Sequence, residues 1–339
     1  MKNIYDYNYD ELNDFLSANN EKSYRTRQIW EWLYKHKVTS FTEMSNLSKD
    51  LIQKMNNNIS FDYIKIKTKQ ESDLTRKYLF ELTDGNYIEA VLMMHDYGLS
   101  VCVSSQVGCN MGCSFCESGR LKKVRNLETY EIVEQILLIE KDIDERIDSV
   151  VIMGIGEPFD NYDNIINFIK IINNPFGLAI GARHITVSTS GIIAKIKEFM
   201  NLPLQVNLAV SLHAPNNELR NKLMPVNKAY PLEELMVVLK EYIKKTNRRI
   251  TIEYVMLKGV NDSLKCADEL AILLKGMNVY VNLIPYNETS HLEFKKTSKN
   301  NIRSFYDYLK KYGINVTIRK EFGAGIDAAC GQLRAREGE

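Results

Sequence analysis

From residue 99 to residue 319 the chain repeats one unit, a strand-like run followed by a helical segment, and this rhythm limits the available folds more than any single motif does. The runs LSVCVSS, DSVVIMG, RHITVS, QVNLAVSL, RRITIEYVML and VYVNLIPY are rich in β-branched residues. Helically spaced apolar residues follow them near 128–143, 163–173, 191–200, 231–245, 262–275 and 299–312. Parallel neighbours need crossovers of this length, so six such units predict an α/β fold with a parallel sheet, closed or partly closed as a (β/α)6 barrel. An open doubly wound sheet would show the same alternation. A last run, INVTIR, leads into the Gly-rich tail EFGAGIDAACGQL. In either architecture functional residues collect at the carboxyl ends of the strands.

Before residue 99 the pattern is different. Residues 9–57 read as short helices, with Ile29, Trp32, Leu33 and Tyr34 at near-helical spacing and Ser45 or Ser48 as candidate N-caps. Tyr24, Arg25, Arg27, Lys35, His36 and Lys37 in this module suit RNA contact; a packing appendage is the alternative. DYIKIKT, KYLFEL and YIEAVLM are short alternating runs, and Asp84-Gly85-Asn86 between the last two predicts a small antiparallel hairpin. The chain therefore divides into a helical accessory domain (1–60), a β linker or hairpin (61–95), a barrel core (96–318) and a Gly-rich tail (319–339).

Lys and Arg number 44 against 43 Asp and Glu, so the net charge of +1 gives no global attraction to phosphate, and a nucleic-acid surface must be local. The start, MKNIYDYNYDELNDF, is acidic where a signal peptide is apolar, and no run approaches about 18 apolar residues. The expectation is a cytoplasmic protein with no membrane association. In that reducing compartment the six cysteines suit metal or redox chemistry better than a disulfide framework.

Cys109, Cys113 and Cys116 stand in GCNMGCSFCESG, on the loop after the first strand of the repeating region. A closed zinc site wants four ligands, and no second CxxC or nearby His supplies the fourth. Three thiolates suit an iron–sulfur cube with one iron left open to a small-molecule chelator. A zinc site completed by Cys102 or water, in a non-catalytic RNA-binding protein, is the other reading. In VVIMGIGEPFDN, Gly154 and Gly156 allow close backbone approach to a ligand, and Glu157 places a carboxylate for an ammonium group. Pro158 and Phe159 break the dinucleotide fingerprint. Ser188, Ser211, Leu212, His213 and Asn287 stand at successive strand ends, suited to ribose hydroxyls, a carboxylate or adenine. Cys266 reads as a small core hydrophobe.

CNMGCSFC on the first loop of such a barrel resembles the radical S-adenosylmethionine (SAM) superfamily. In order, VCVSSQVGC, MGIGEP, ITVSTSGI, VNLAVSLHAPN, NKLMPVN, NLIPYN and GIDAACGQL, with the N-terminal YRTRQIWEWLY, are similar to the RlmN/Cfr family of radical SAM RNA-adenine methyltransferases. The resemblance implies a 4Fe–4S cluster on the three cysteines and SAM on the open iron, held by Gly156, Glu157, Ser188, Ser211, Leu212, His213 and Asn287. It implies that Cys330 accepts a methyl group from one SAM, that a second SAM yields a 5′-deoxyadenosyl radical, and that Cys102 resolves the protein–RNA adduct through a transient disulfide with Cys330. Glu89 matches the family's proton acceptor. Glu157-Pro158 follows the branch that methylates C2 of adenine 2503 in 23S rRNA and of the adenine beside the tRNA anticodon; the C8 branch typically has Ala at that Pro. A monomer served by a flavodoxin or ferredoxin is also implied. Glu117 and Ser118 depart from the small and hydroxyl residues commoner in the family. Arg120, Lys122, Lys123, Arg125, Arg248, Arg249, Arg319 and Lys320 form a candidate phosphate-contacting patch.

Overall fold

In a computed structural model the protein is described over residues 1–120 and 122–319. Its N-terminal module pairs β1 (Lys2–Asn3) with β2 (Ile59–Ser60) around α1 (Tyr9–Ala18), α2 (Tyr24–Glu31) and α3 (Lys49–Asn58). Local chemistry sets the helix starts. Asn8 and Glu11 exchange side-chain-to-backbone hydrogen bonds in a capping box at α1, and Ser48 rather than Ser45 caps α3 by accepting from the Leu51 N–H. Ile29, Trp30, Leu33 and Tyr34 are buried, and the Tyr34 ring packs on both Trp30 and Tyr5.

Ten strands form one sheet whose spatial order is their chain order: β3 (Lys65–Ser72), β4 (Thr75–Glu81), β5 (Tyr87–His95), β6 (Gly98–Val103), β9 (Ser149–Ile152), β10 (Ile185–Thr189), β11 (Asn207–Ser211), β12 (Ile250–Met256), β13 (Val279–Pro285) and β14 (Asn315–Ile318). From β6 to β14 every neighbour is parallel. The crossovers carry α5 (Thr129–Ile143), α6 (Tyr162–Asn173), α7 (Ile193–Phe199), α9 (Leu232–Thr246), α10 (Leu264–Leu274) and α11 (Lys299–Lys311). A two-strand ladder, β7 (Gln106–Val107) with β8 (Arg125–Asn126), closes the first loop, which holds the one-turn helix α4 (Glu117–Arg120); α8 (Asn217–Leu223) lies between β11 and α9.

The two faces of the parallel strands decide between barrel and doubly wound sheet. Val101, Val103, Val150, Ile152, Ile185, Val187, Leu208, Val210, Ile250, Ile252, Val281 and Leu283 join the core shared with the helices. The opposite face carries Ser149, Asn207, Ser211, Thr251, Asn282 and Thr317, half-buried and mostly polar. Among the described residues helices cover one face only, and the sheet curls around the other, where residues from its successive strands line one cavity. Among the described residues β14 does not pair with β6; β6 instead takes β5 antiparallel, so the barrel is partial. The expected hairpin is present, with Leu82 N–H donating to Asn86 O at 2.8 Å across its turn. It extends the main sheet, since β3, β4 and β5 continue it antiparallel from β6.

The N-terminal module docks on the crossover helices through the Tyr130 N–H to Asp6 Oδ1 bond (2.8 Å) and the Asn167 side chain to Asp6 O (2.8 Å). Lys37 pairs with the buried Glu140 at 2.8 Å.

Candidate active site

The exits of β6 and β9 are packed backbone to backbone. The Gly154 N–H donates to Val103 O at 3.0 Å, and a Cβ at Gly154 would lie 2.7 Å from that same oxygen. Gly156, at φ +107°, would place a Cβ 2.6 Å from Gln106 Cβ. The two glycines therefore serve first to seat this loop on residues 103–106. The Ser104 hydroxyl donates to Glu89 O and accepts from the Ile155 N–H, while Gln106 Oε1 accepts from the Glu157 N–H at 2.9 Å. This chain of bonds fixes Glu157.

The Glu157 carboxylate is buried and accepts two backbone N–H groups, Phe159 on Oε1 (3.0 Å) and Ser190 on Oε2 (2.7 Å). Burial pushes its carboxyl above the ordinary range, opposed by those donors. Around it lies a cavity of about 300 Å³. Its wall includes Cys109, Cys113 and Cys116 together with Gly156, Glu157, Ser188, Ser211, His213 and Asn287. Residues far apart in sequence thus converge at the carboxyl ends of the strands. Leu212 does not reach the cavity: its side chain is in the core, and it offers its backbone, the N–H bonding to Glu253 O.

His213 adopts φ +57°, and its Nδ1 accepts from the Val255 N–H at 3.0 Å, which places the ring proton on Nε2. Burial, reinforced by the Arg220 charge, lowers its pKa to about 3, so the imidazole is neutral. Phe115 of the cysteine loop stands edge-on to this ring at 4.9 Å. The loop is further held by the Ser114 N–H to Leu223 O bond (2.9 Å).

Burial, with the nearby Cys116 and acidic groups, pushes the Cys109 thiol up to about 12, and burial also raises the Cys113 thiol well above its ordinary value. Thiols in this state ionise only when a cation takes the protons' place, which is the donor chemistry of an iron–sulfur cluster. Among the described residues no Cys, His, Asp or Glu group is set closely enough to hold a single metal ion. The three thiols line a shared cavity, and with the carboxylate, hydroxyls and neutral imidazole of the same wall they fit a cluster that would leave one iron open to an amino-acid-bearing nucleoside.

Other expected residues lie outside this wall. Cys102 is buried on β6, paired in register with Val91 of β5 and Val151 of β9, on the inner face of the sheet. Glu89 is on the same face, buried, with Lys77 Nζ at 3.0 Å; it is an ion-paired inner residue and not a solvated edge carboxylate. Cys330 and Lys320 lie outside the described residues. The proposed basic patch is not one surface. Arg120, Lys123 and Arg125 are committed to Glu117, Asp160 and Glu131, whereas Arg248 and Arg249 lie just before β12, at the other end of the barrel. Arg319 is part of the cavity wall.

Sequence reasoning passed over Glu253 and Arg220. Glu253 faces the cavity, buried, with Asn282 donating to Oε2 at 2.9 Å, and burial raises its carboxyl. Its signal was a lone acid in the otherwise apolar run ITIEYVML. No local pattern marked Arg220. Glu117, noted as a departure, is a buried acceptor for Arg120, Thr289 and His291, tying the cysteine loop to the loop after β13.

Residues 103–271 match the family described as the Radical SAM superfamily, and residues 2–60 match the Ribosomal RNA large subunit methyltransferase N-terminal domain. The chain superposes on the crystal structure of a radical SAM methyltransferase from Sphaerobacter thermophilus with TM-score 0.92 and 40% identity, covering 98% of this chain and 99% of that one. Fold and site together define a radical SAM enzyme. Relatives described as "Probable dual-specificity RNA methyltransferase RlmN" are 56% identical in Acholeplasma laidlawii (98% of this chain, 99% of the relative) and 55% identical in Enterococcus faecalis (99% and 97%). The chain belongs to the RlmN family of radical SAM methyltransferases. That membership overturns the zinc-stabilised, non-catalytic alternative. The family uses a 4Fe–4S cluster and SAM, the groups that the donor set of the cavity fits. Among the described residues no helix is long and apolar enough to cross a membrane.

Proposed function

We propose that this protein methylates C2 of adenine in RNA, acting on 23S rRNA and on the adenine beside the anticodon of tRNA. The observation that carries the reading is the convergence of Cys109, Cys113 and Cys116 with Glu157, Ser188, Ser211, His213 and Asn287 on one cavity, in a chain related end to end to dual-specificity RNA methyltransferases. The bound cluster and SAM supply the one-electron chemistry that an adenine ring carbon, lacking a nucleophilic lone pair, requires. Glu157 receives the ammonium end of SAM, with Ser190 and Phe159 N–H groups orienting its carboxylate. Ser188, Ser211 and Asn287 take the polar nucleoside groups. Neutral His213 offers an Nε2–H donor without adding charge.

Cys330 carries the methyl group, and Cys102, on the inner face, resolves the adduct. Glu89, held by Lys77, accepts a proton. The electron comes from a flavodoxin- or ferredoxin-class donor. Pro158, buried at the start of the short turn that Glu157 caps, favours the C2 branch over the C8 branch.

The test is anaerobic reaction of the cluster-loaded protein with a 23S rRNA fragment and with tRNA, followed by nucleoside mass spectrometry. We expect 2-methyladenosine in both. 8-Methyladenosine would refute the regiochemistry, and methylation of one RNA alone would refute dual specificity. Cys330→Ala is expected to abolish the product with iron content unchanged.

A further inference from the structure

Arg220 is fully buried in α8, and each hydrogen-bond acceptor around its guanidinium is neutral. Nη2 donates to Ser190 O (2.6 Å) and Ser211 O (3.4 Å), Nε to Leu212 O (3.3 Å) and Nη1 to Asn227 Oδ1 (2.8 Å). Among the described residues no carboxylate is bonded to it. A buried cation without a counter-charge costs several kcal/mol as an order of magnitude, so a core position of this kind implies an anion supplied from elsewhere.

The surroundings indicate where that anion sits. The carbonyls it grips belong to the ends of β10 and β11, and Ser190 and Ser211 line the cavity. Three residues further along its own helix, Leu223 O accepts the N–H of Ser114, the neighbour of Cys113. Leu223 and Met224 pack with Cys113 and Phe115. The guanidinium therefore stands behind the wall between the cysteine loop and the strand ends assigned to SAM.

We propose that Arg220 is a positioning residue whose fixed positive charge balances the thiolate-bound cluster and favours its reduction, while its fork holds the β10 and β11 ends in SAM-binding register. This rests on the cluster and SAM assignments above. Reduction adds one electron and breaks no bond, so a nearby cation favours the reduced state by charge alone. Planar, multiply bonded guanidinium is the only side chain that can supply both the charge and the several carbonyl contacts.

The test uses Arg220→Gln, neutral with an amide donor, and Arg220→Lys, charged without the fork. Each is reconstituted anaerobically beside the wild type. Iron and sulfide content, circular dichroism, an EPR-monitored redox titration with dithionite and SAM affinity are measured. At a fixed potential the reduced-to-oxidised ratio is expected to fall about tenfold in Arg220→Gln and to stay near wild type in Arg220→Lys. SAM affinity is expected to fall about tenfold in both. Should Arg220→Gln fail to load iron while Arg220→Lys loads normally, the charge requirement is equally supported. Unchanged titration of a fully loaded Arg220→Gln, equal shifts in the two variants, or failure of both to load would overturn the proposal. Absence of a cluster in the wild type would instead overturn the cluster assignment.

Discussion

His213 offers a quantitative check on the electrostatics of the site. Its ring is neutral because burial, reinforced by the Arg220 charge, disfavours the cation, and its folded pKa of about 3 lies well below the ordinary 6.5. An unfolded chain takes up a proton near pH 6.5 and the folded one does not, so the unfolded state gains stability as the pH falls below that value. The contribution is fully present above about pH 6.5 and is lost progressively toward the folded pKa, at up to about 1.4 kcal/mol per pH unit. Between about pH 7.5 and about pH 5 the loss is about 2 kcal/mol. His213→Asn isolates it, since Asn tolerates φ +57° and its Oδ1 can accept the Val255 N–H, but it does not titrate. Glu134, Glu157 and Glu253, whose carboxyls burial raises, are present in both proteins and cancel in the difference. Near neutrality the variant loses the edge-on contact with Phe115, about 1 kcal/mol. Urea unfolding of both proteins across the pH range provides the measurement. The wild-type advantage is expected to vanish and reverse by about pH 5. A stability difference that stays constant with pH would refute the neutral, buried imidazole.

Gly154→Ala should force the β9 exit away from β6, because the new methyl meets Val103 O and the Ser104 backbone rather than a flexible side chain. About 2 kcal/mol should be lost in chemical denaturation, with weaker SAM binding by calorimetry; an unchanged midpoint would show that the loop is not seated as described. Lys77→Met removes the cation beside Glu89 in a pair with side-chain exposures of 0% and 3%, and should cost about 3–5 kcal/mol. Adding Glu89→Leu should restore most of that stability, and a double variant no more stable than the single one would argue against the pair.

How much could be read in advance differs from residue to residue. The β/α rhythm was legible because Val and Ile runs and helical periodicity are local properties, and the capping residue at Ser48 was one of two evident choices. The cysteine triplet and Glu157 stood out because thiol spacing and a Gly-flanked strand end are local as well, and the structure brings them to the wall of one cavity. Leu212 was placed with its neighbours in SLH, yet strand alternation turns its side chain into the core while Ser211 and His213 face the cavity. The basic patch failed for a different reason: Arg120, Lys123 and Arg125 meet carboxylates on neighbouring loops, and Arg248 and Arg249 lie just before a strand whose other end bears the site.

By itself, then, the amino-acid order determined the class of architecture and the family and singled out three cysteines as candidate cluster ligands, since each depends on residue types at short, fixed spacings. Only the tertiary structure decided that, among the described residues, the barrel stays open at β6, that Glu89 is met by Lys77, and that Arg220 is bonded to neutral oxygens alone near the cysteine loop. These depend on which strand edges pair and which distant side chains share one low-dielectric interior, and charge is strongest and costliest where water is excluded.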